Sequence, residues 1–173
     1  MPPRTLLHSL ELEFLRTKTS GDNALAQLSD EHLHTRINPL QNSVAAILQH
    51  LHGNMLSRFT DFLTSDGEKP TRDRESEFQD RQLPRPELLA LWEQGWSCMF
   101  TAIAPLTDAD LPRQILIRNE PHTVAQALAR QLAHYGWHTG QIALIGKHLL
   151  QNQWQYLTIP PGASQAFNKK MGM

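Results

Sequence analysis

The stretch from Thr123 to Gln151, TVAQALARQLAHYGWHTGQIALIGKHLLQ, decides how the rest of the chain is read. Thr123 is a suitable N-cap. Val124, Leu128, Leu132, Tyr135, Ile142, Ile145 and Leu149 recur at helical spacing, and no proline interrupts the chain until Pro160. The spacing predicts one long helix. At about 100° per residue, positions four or seven apart fall within roughly 40° of each other, so His134, His138 and Gln141 share one stripe. Two imidazoles one turn apart can point at a common atom, and a metal ion is the leading candidate for that atom.

Working outward, three further apolar periodicities precede this helix. Leu6, Leu7, Leu10, Phe14, Leu25 and Leu28 predict a first helix, weakened at Ser20-Gly21 and stopped by Ser29-Asp30-Glu31. A connector with one short turn follows, through Asn38-Pro39. A second helix starts at Asn42 or Ser43 and runs to about Thr64, with Val44, Ile47, Leu48, Leu51, Met55, Phe59 and Phe62 inward. Residues 65–86 are polar and carry both charges, which reads as a solvated crossover loop. The sharper alternative is a lid in which Arg58, Arg72 or Arg74 recruits an anionic substrate. Pro86 opens a third helix through Leu91, Trp92, Trp96, Met99, Phe100 and Ile103, ending near Pro105. Gln114 to Arg118 reads as one short strand or extended arm that turns at Asn119-Glu120-Pro121. A tail of about residues 152–173 reads as irregular. Four long amphipathic segments imply an all-α four-helix bundle forming a single domain over residues 1–173, and such bundles build sites from side chains on facing helices.

Composition removes several function classes. The 16 basic and 17 acidic residues leave a net charge of −1 and are interspersed, which argues against nucleic acid and against an acidic membrane surface. Cys98 is the only cysteine, so an internal disulfide and a cysteine-based zinc site are both out of reach, and it reads as a small apolar core residue. After Met1-Pro2-Pro3-Arg4, Glu11 and Glu13 break any signal-like apolar run, and no later run approaches about 20 apolar residues. The expectation is a cytoplasmic protein that does not engage a membrane.

A third imidazole from the second helix would complete a site for zinc, nickel, copper or iron with one or more positions open. His50 and His52 are about 200° apart on that helix, so at most one faces inward and the other should be solvated. The apolar centre lies roughly 70° from His52 and roughly 130° from His50, so periodicity prefers His52. Absences narrow the chemistry. His134-Tyr135-Gly136-Trp137-His138 lacks the glutamate of the metalloprotease motif. Thr123 to Gln151 has no acidic residue and Asn42 to Thr64 only Asp61, which excludes a carboxylate-bridged di-iron centre. What is left is an ion that lowers the pKa of bound water towards about 7 or deprotonates a coordinated thiol. The competing reading is plain core packing, since nine histidines make accidental pairs easier. His8, His32, His34, His122 and His148 read as surface or capping residues, and Gln141 as a residue that orients an imidazole. Gly136 and Gly140, each costing about 1 kcal/mol in a helix, point to a close helix approach or to room beside the site.

The segments Ser43-Val44-Ala45-Ala46-Ile47-Leu48-Gln49-His50-Leu51 and Gly53 to Leu63, then Asp66-Gly67-Glu68-Lys69 and His134-Tyr135 through His138-Thr139-Gly140-Gln141-Ile142, together resemble the DinB/YfiT-like superfamily. More closely, they resemble a branch of it described as a domain of unknown function. Trp154, Ile159-Pro160 and Phe167-Asn168 match the same branch, so the resemblance covers nearly the whole chain. It implies a four-helix bundle, often a homodimer, with a divalent metal on three histidines. By motif these are His50, His134 and His138. It further implies a thiol-dependent reaction, in which a low-molecular-weight thiol is activated on the metal and transferred to an electrophile. Arg58, Arg72 or Arg74 would then meet the thiol's carboxylates, the competing reading being that each stands in a surface ion pair. The alternatives are a metal-hydroxide hydrolase using the same site and a non-catalytic, stress-related dimeric metal-binding protein.

Overall fold

The structure, a computed structural model, describes residues 5–172; Met1 to Arg4, with which the reading against a leader segment began, lie outside the described residues. The chain is mostly helical and all-α in class. Its long helices are α1 (Thr5–Leu25), α3 (Val44–Phe59), α4 (Arg85–Ile103) and α5 (Val124–Leu150). Two short ones, α2 (Asp30–His34) and α6 (Ser164–Lys170), accompany them, with a hairpin of β1 (Gln114–Ile117) and β2 (Glu120–Thr123). No helix among the described residues is long and apolar enough to cross a membrane.

α1 lies along α5, α3 along α4, and α3 touches α5 across the middle. An aromatic cluster ties them together. Trp96 of α4 stands edge-on to Tyr135 of α5 at 5.5 Å and to Trp92 at 5.4 Å, and Phe14 of α1 meets Tyr135 at 6.1 Å. These rings are essentially fully buried, and burial on this scale, about 1.5–3 kcal/mol per large apolar side chain, dominates what holds the helices together.

α1 does not weaken at Ser20-Gly21. A Cβ at Gly21 would stand 2.6 Å from the Trp92 ring, so the glycine is the notch that seats the indole. The indole Nε1 donates to Asp22 Oδ1 at 2.6 Å. Packing between helices overrides the local propensity. α1 ends at Leu25, short of the expected Leu28, and Ser29 caps α2 by accepting from the His32 amide, with His32 Nδ1 accepting in return.

α3 begins where expected, with Ser43 accepting from the Ala46 amide, but it ends at Phe59 rather than Thr64. Thr60 caps it, and Asp61 follows at φ 50°. The 65–86 segment is solvated only in part: Pro70, Thr71, Asp73, Arg74 and Glu75 are exposed, whereas Gly67 and Glu77 are buried. It carries one 3₁₀ turn, Ser76–Phe78, and lays Glu77 and the Arg72 side chain against α3. α3 is therefore covered on almost every face.

The single strand or arm expected at Gln114 to Arg118 is half of an antiparallel hairpin, with Ile117 paired to Glu120. The turn falls one residue earlier than expected, on Arg118 and Asn119. Both have positive φ (56° and 61°), the geometry of a tight two-residue connection. Asp66 accepts from both turn amides at 2.8 Å, and the Gly67 amide donates to Leu116 O at 2.8 Å, so the loop and the hairpin clamp each other.

α5 is anchored at each end. Thr123 and Gln126 cap it reciprocally, while the Val124 and Ala125 amides donate to Arg113 O and Leu111 O. At its far end Trp154 packs on Gly146, where a Cβ would meet the indole at 2.4 Å. The Gln155 amide donates to Gln27 Oε1 at 2.7 Å. The tail, expected to be irregular, turns through Gln151–Gln153 and forms the exposed α6.

Candidate metal centre

His50 projects from the middle of α3, and His134 and His138 from the middle of α5. One ring nitrogen from each lies within 4.8 Å of the others, close enough to hold a metal ion. His134 Nε2 stands 3.2 Å from His50 Nε2 and 3.1 Å from His138 Nε2. A tetrahedral zinc with nitrogens at about 2.0–2.1 Å would separate neighbouring ligands by about 3.3–3.4 Å, so the three rings stand close enough to share one ion.

Protonation supports this. His50 Nδ1 is 2.8 Å from Glu77 Oε2, and that carboxylate also accepts from Arg72 Nε at 2.7 Å and Arg72 Nη2 at 2.8 Å. Burial alone would raise the Glu77 carboxyl; hydrogen bonds from His50 and Arg72 outweigh it and hold the group below its ordinary range, as an acceptor only. His50 Nδ1 therefore donates to Glu77, which in the neutral ring leaves the lone pair on Nε2. In the same way His138 Nδ1 donates to Gln141 Oε1 at 2.8 Å, which leaves a lone pair on its Nε2. Two lone pairs converge on His134 Nε2, and a single N–H there can satisfy only one of them. A shared cation satisfies all three nitrogens.

Burial, followed by repulsion from His138 and His50 when those rings are protonated and from Arg58 and Arg72, lowers His134 to about 3. Burial and then His50 lower His138 to about 4. Both imidazoles are neutral at neutral pH, the form a metal requires. Among the described residues, no fourth His, Cys, Asp or Glu joins the cluster, and His134 and His138 are only partly buried, so the centre is open on one side.

His52, which periodicity preferred, points away. It lies against α4, where a Cβ on Gly95 would meet the His52 backbone at 3.3 Å; its Nε2 is buried without a partner, and burial lowers its pKa. It is not the solvated residue expected. The wheel misled because it assumes one buried face, whereas α3 is covered on almost every face and His50 is 4% exposed.

Gly136 and Gly140 mark no close helix approach: a Cβ at either would meet nothing within 4 Å. His34, read as a surface residue, is a tie between segments, with Nδ1 on Asp80 at 2.9 Å and Nε2 on Leu83 O at 3.1 Å. Of the arginines, Arg72 grips Glu77, Arg58 binds Gly67 O and Glu68, and Arg74 pairs with Glu75 while covering the Phe78 ring at 4.9 Å. Phe78 in turn stacks on His50 at 4.6 Å. Glu77 and Phe78 were missed from sequence, because nothing in a polar segment 27 residues away marks a partner for His50.

A family model described as "Protein of unknown function (DUF1572)" matches residues 3–163. No curated protein matches the chain.

Proposed function

The chain belongs to the DUF1572 family, whose description carries no activity, and from the site itself we propose a metal-dependent small-molecule enzyme of the DinB-like type. In this reading α1, α3, α4 and α5 are the helices of a DinB/YfiT-like four-helix bundle, and His50, His134 and His138 hold one divalent ion such as zinc or nickel. The observation that carries the proposal is the convergence of three Nε2 atoms, two of them with tautomers set by Glu77 and Gln141. When bound, the ion would supply Lewis acidity, lowering the pKa of a coordinated low-molecular-weight thiol so that its sulfur attacks an electrophilic carbon at neutral pH. The lack of a fourth protein ligand among the described residues favours this over a structural metal.

The chain's own residues orient and shield. Glu77, itself held by Arg72, fixes the His50 ring, and Phe78 covers the face of that ring. Gln141 fixes His138. The choice of thiol over water rests on the resemblance of Ser43 to Leu63 and His134 to Ile142 to thiol-dependent relatives. A soluble homodimer handling a small thiol and an electrophile completes the reading.

The test begins with the metal content of tag-free protein purified without added metal, beside His138→Ala. About one equivalent per chain, lost in the variant, is expected of a single site. Turnover of a chloro-nitroaromatic with a panel of thiols then follows. Protein that takes up no metal on titration would remove the proposal, and metal uptake without thiol transfer would leave the centre and remove the reaction.

A further inference from the structure

Beside the three histidines, and lined in part by His50 and His134, is a cavity of about 190 Å³ whose remaining wall is five arginines, Arg58, Arg72, Arg74, Arg118 and Arg130, with the amides of Asn54 and Gln131. It is too small for a whole drug-sized molecule, for which about 300 Å³ is a lower bound, and suits one end of a substrate.

The local carboxylates do not neutralise it. Glu68 is shared by Arg58, Arg72 and Arg118, Glu77 is committed to Arg72 and His50, and Glu75 faces Arg74. Arg130 has no carboxylate partner among the described residues; its Nη1 lies 3.2 Å from the His122 ring. Arg130 also stands one turn before His134 on the stripe that carries His138, about 6 Å along the helix.

Two buried groups on the same wall lack partners. Arg58 is 7% exposed and its Nε has no acceptor, and Gln131 is 4% exposed with Oε1 unsatisfied. A half-turn of the Gln131 amide would offer an N–H there instead. A buried donor without a partner is costly, and the unpaired Arg58 Nε calls for something that supplies an acceptor.

We propose that this cavity binds an oxyanionic arm of the substrate, carboxylate or phosphoryl, and so seats the reacting group of an anionic small molecule at the histidine centre. The proposal rests on the metal-centre reading above and names its substrate class. Planar guanidinium forks match the two oxygens of such a group through charge-assisted bonds.

The experiment is calorimetric binding of inorganic phosphate and, separately, succinate. Each is titrated into zinc-loaded wild type, the Arg118→Gln/Arg130→Gln double variant, and Lys147→Gln as a remote charge control. The expected result is saturable binding of one probe that weakens tenfold or more in the double variant, with zinc content unchanged and Lys147→Gln like wild type. Whichever probe binds identifies the arm as phosphoryl or carboxylate. Binding that ignores the arginine changes would place the anion on the metal alone and overturn the proposal, as would no binding of either probe. If the protein takes up no zinc, the metal reading fails. The same titration on metal-free protein then decides the cavity, arginine-dependent binding upholding it and its absence removing it.

Discussion

Replacing Glu77 by glutamine keeps the shape of the side chain and removes its charge, which isolates what the carboxylate does. In the native protein its two oxygens accept from His50 Nδ1, Arg72 Nε and Arg72 Nη2. A carboxamide has one oxygen and one NH₂ group, so at least one of those donors would face another donor. Arg72, with a side chain 4% exposed, would be left to Glu68, whose contacts at 3.3 and 3.4 Å are long for a charge-assisted pair. Removing one partner of a buried pair costs about 3–5 kcal/mol, and the surviving Glu68 puts this case near about 3 kcal/mol. At roughly 2–4 °C per kcal/mol for a chain of this size, the metal-free variant should melt about 6–12 °C lower. His50 also loses the acceptor that fixes its tautomer, so zinc affinity should fall about 10–100-fold. Calorimetric melting after chelator treatment and zinc competition against a chromophoric chelator measure the two effects. The sign with pH follows from the depressed Glu77 carboxyl: its contribution is present above the ordinary value of 4.5 and lost as pH falls through the folded value, so the deficit of the variant should shrink on acidification. A variant that matches wild type in both melting temperature and zinc affinity would refute the reasoning.

The paired histidines give a second pH signature. Because His134 and His138 lie at about 3 and about 4 when folded against 6.5 ordinarily, the unfolded chain binds more protons as pH falls below 6.5. Stability of the metal-free protein should thus be complete above that value and decline below it with a slope approaching about two protons, His52 adding in the same direction; urea midpoints independent of pH between about 7.5 and about 5.5 would contradict it. Alanine at Gly136 or Gly140 meets nothing and should stabilise by about 0.5–1 kcal/mol each, whereas Gly146→Ala, driven into Trp154, should cost about 1–3 kcal/mol. Urea unfolding of the three variants is the check, and the opposite ordering would count against the packing described.

What could be read from the sequence followed from local pattern. The last helix was bounded to within a residue because Thr123 caps it and its apolar period is unbroken. The His134 and His138 pair was visible because one turn of helix is local geometry. The regions misread depend on contacts distant in sequence. Gly21 looked like a weak point until the Trp92 indole, 71 positions away, filled its notch. The 65–86 segment looked solvated because its charges pair internally or with α3, as Arg72 does with Glu77, and composition does not distinguish paired from hydrated charge. The second hairpin strand, Glu120-Pro121-His122-Thr123, has no β-branched run to announce it, and the pairing to Gln114–Ile117 and the Asp66 clamp define it instead. On α3, helical averaging ranked His52 above His50 because it could not know that the outer face would be covered.

The two anchors of α5 act mechanically as the fixed ends of a shaft. Sliding the helix by one residue would turn its side chains by about 100°, and that rotation is opposed at the start by backbone bonds to Arg113 and Leu111 and at the end by Trp154 seated on Gly146. His134 and His138 sit between these stops, so the bearing of both rings is set before anything enters the cluster. Loading the centre should therefore call for side-chain rotation alone, and backbone amide chemical shifts at the two ends of α5 should be the same with and without zinc.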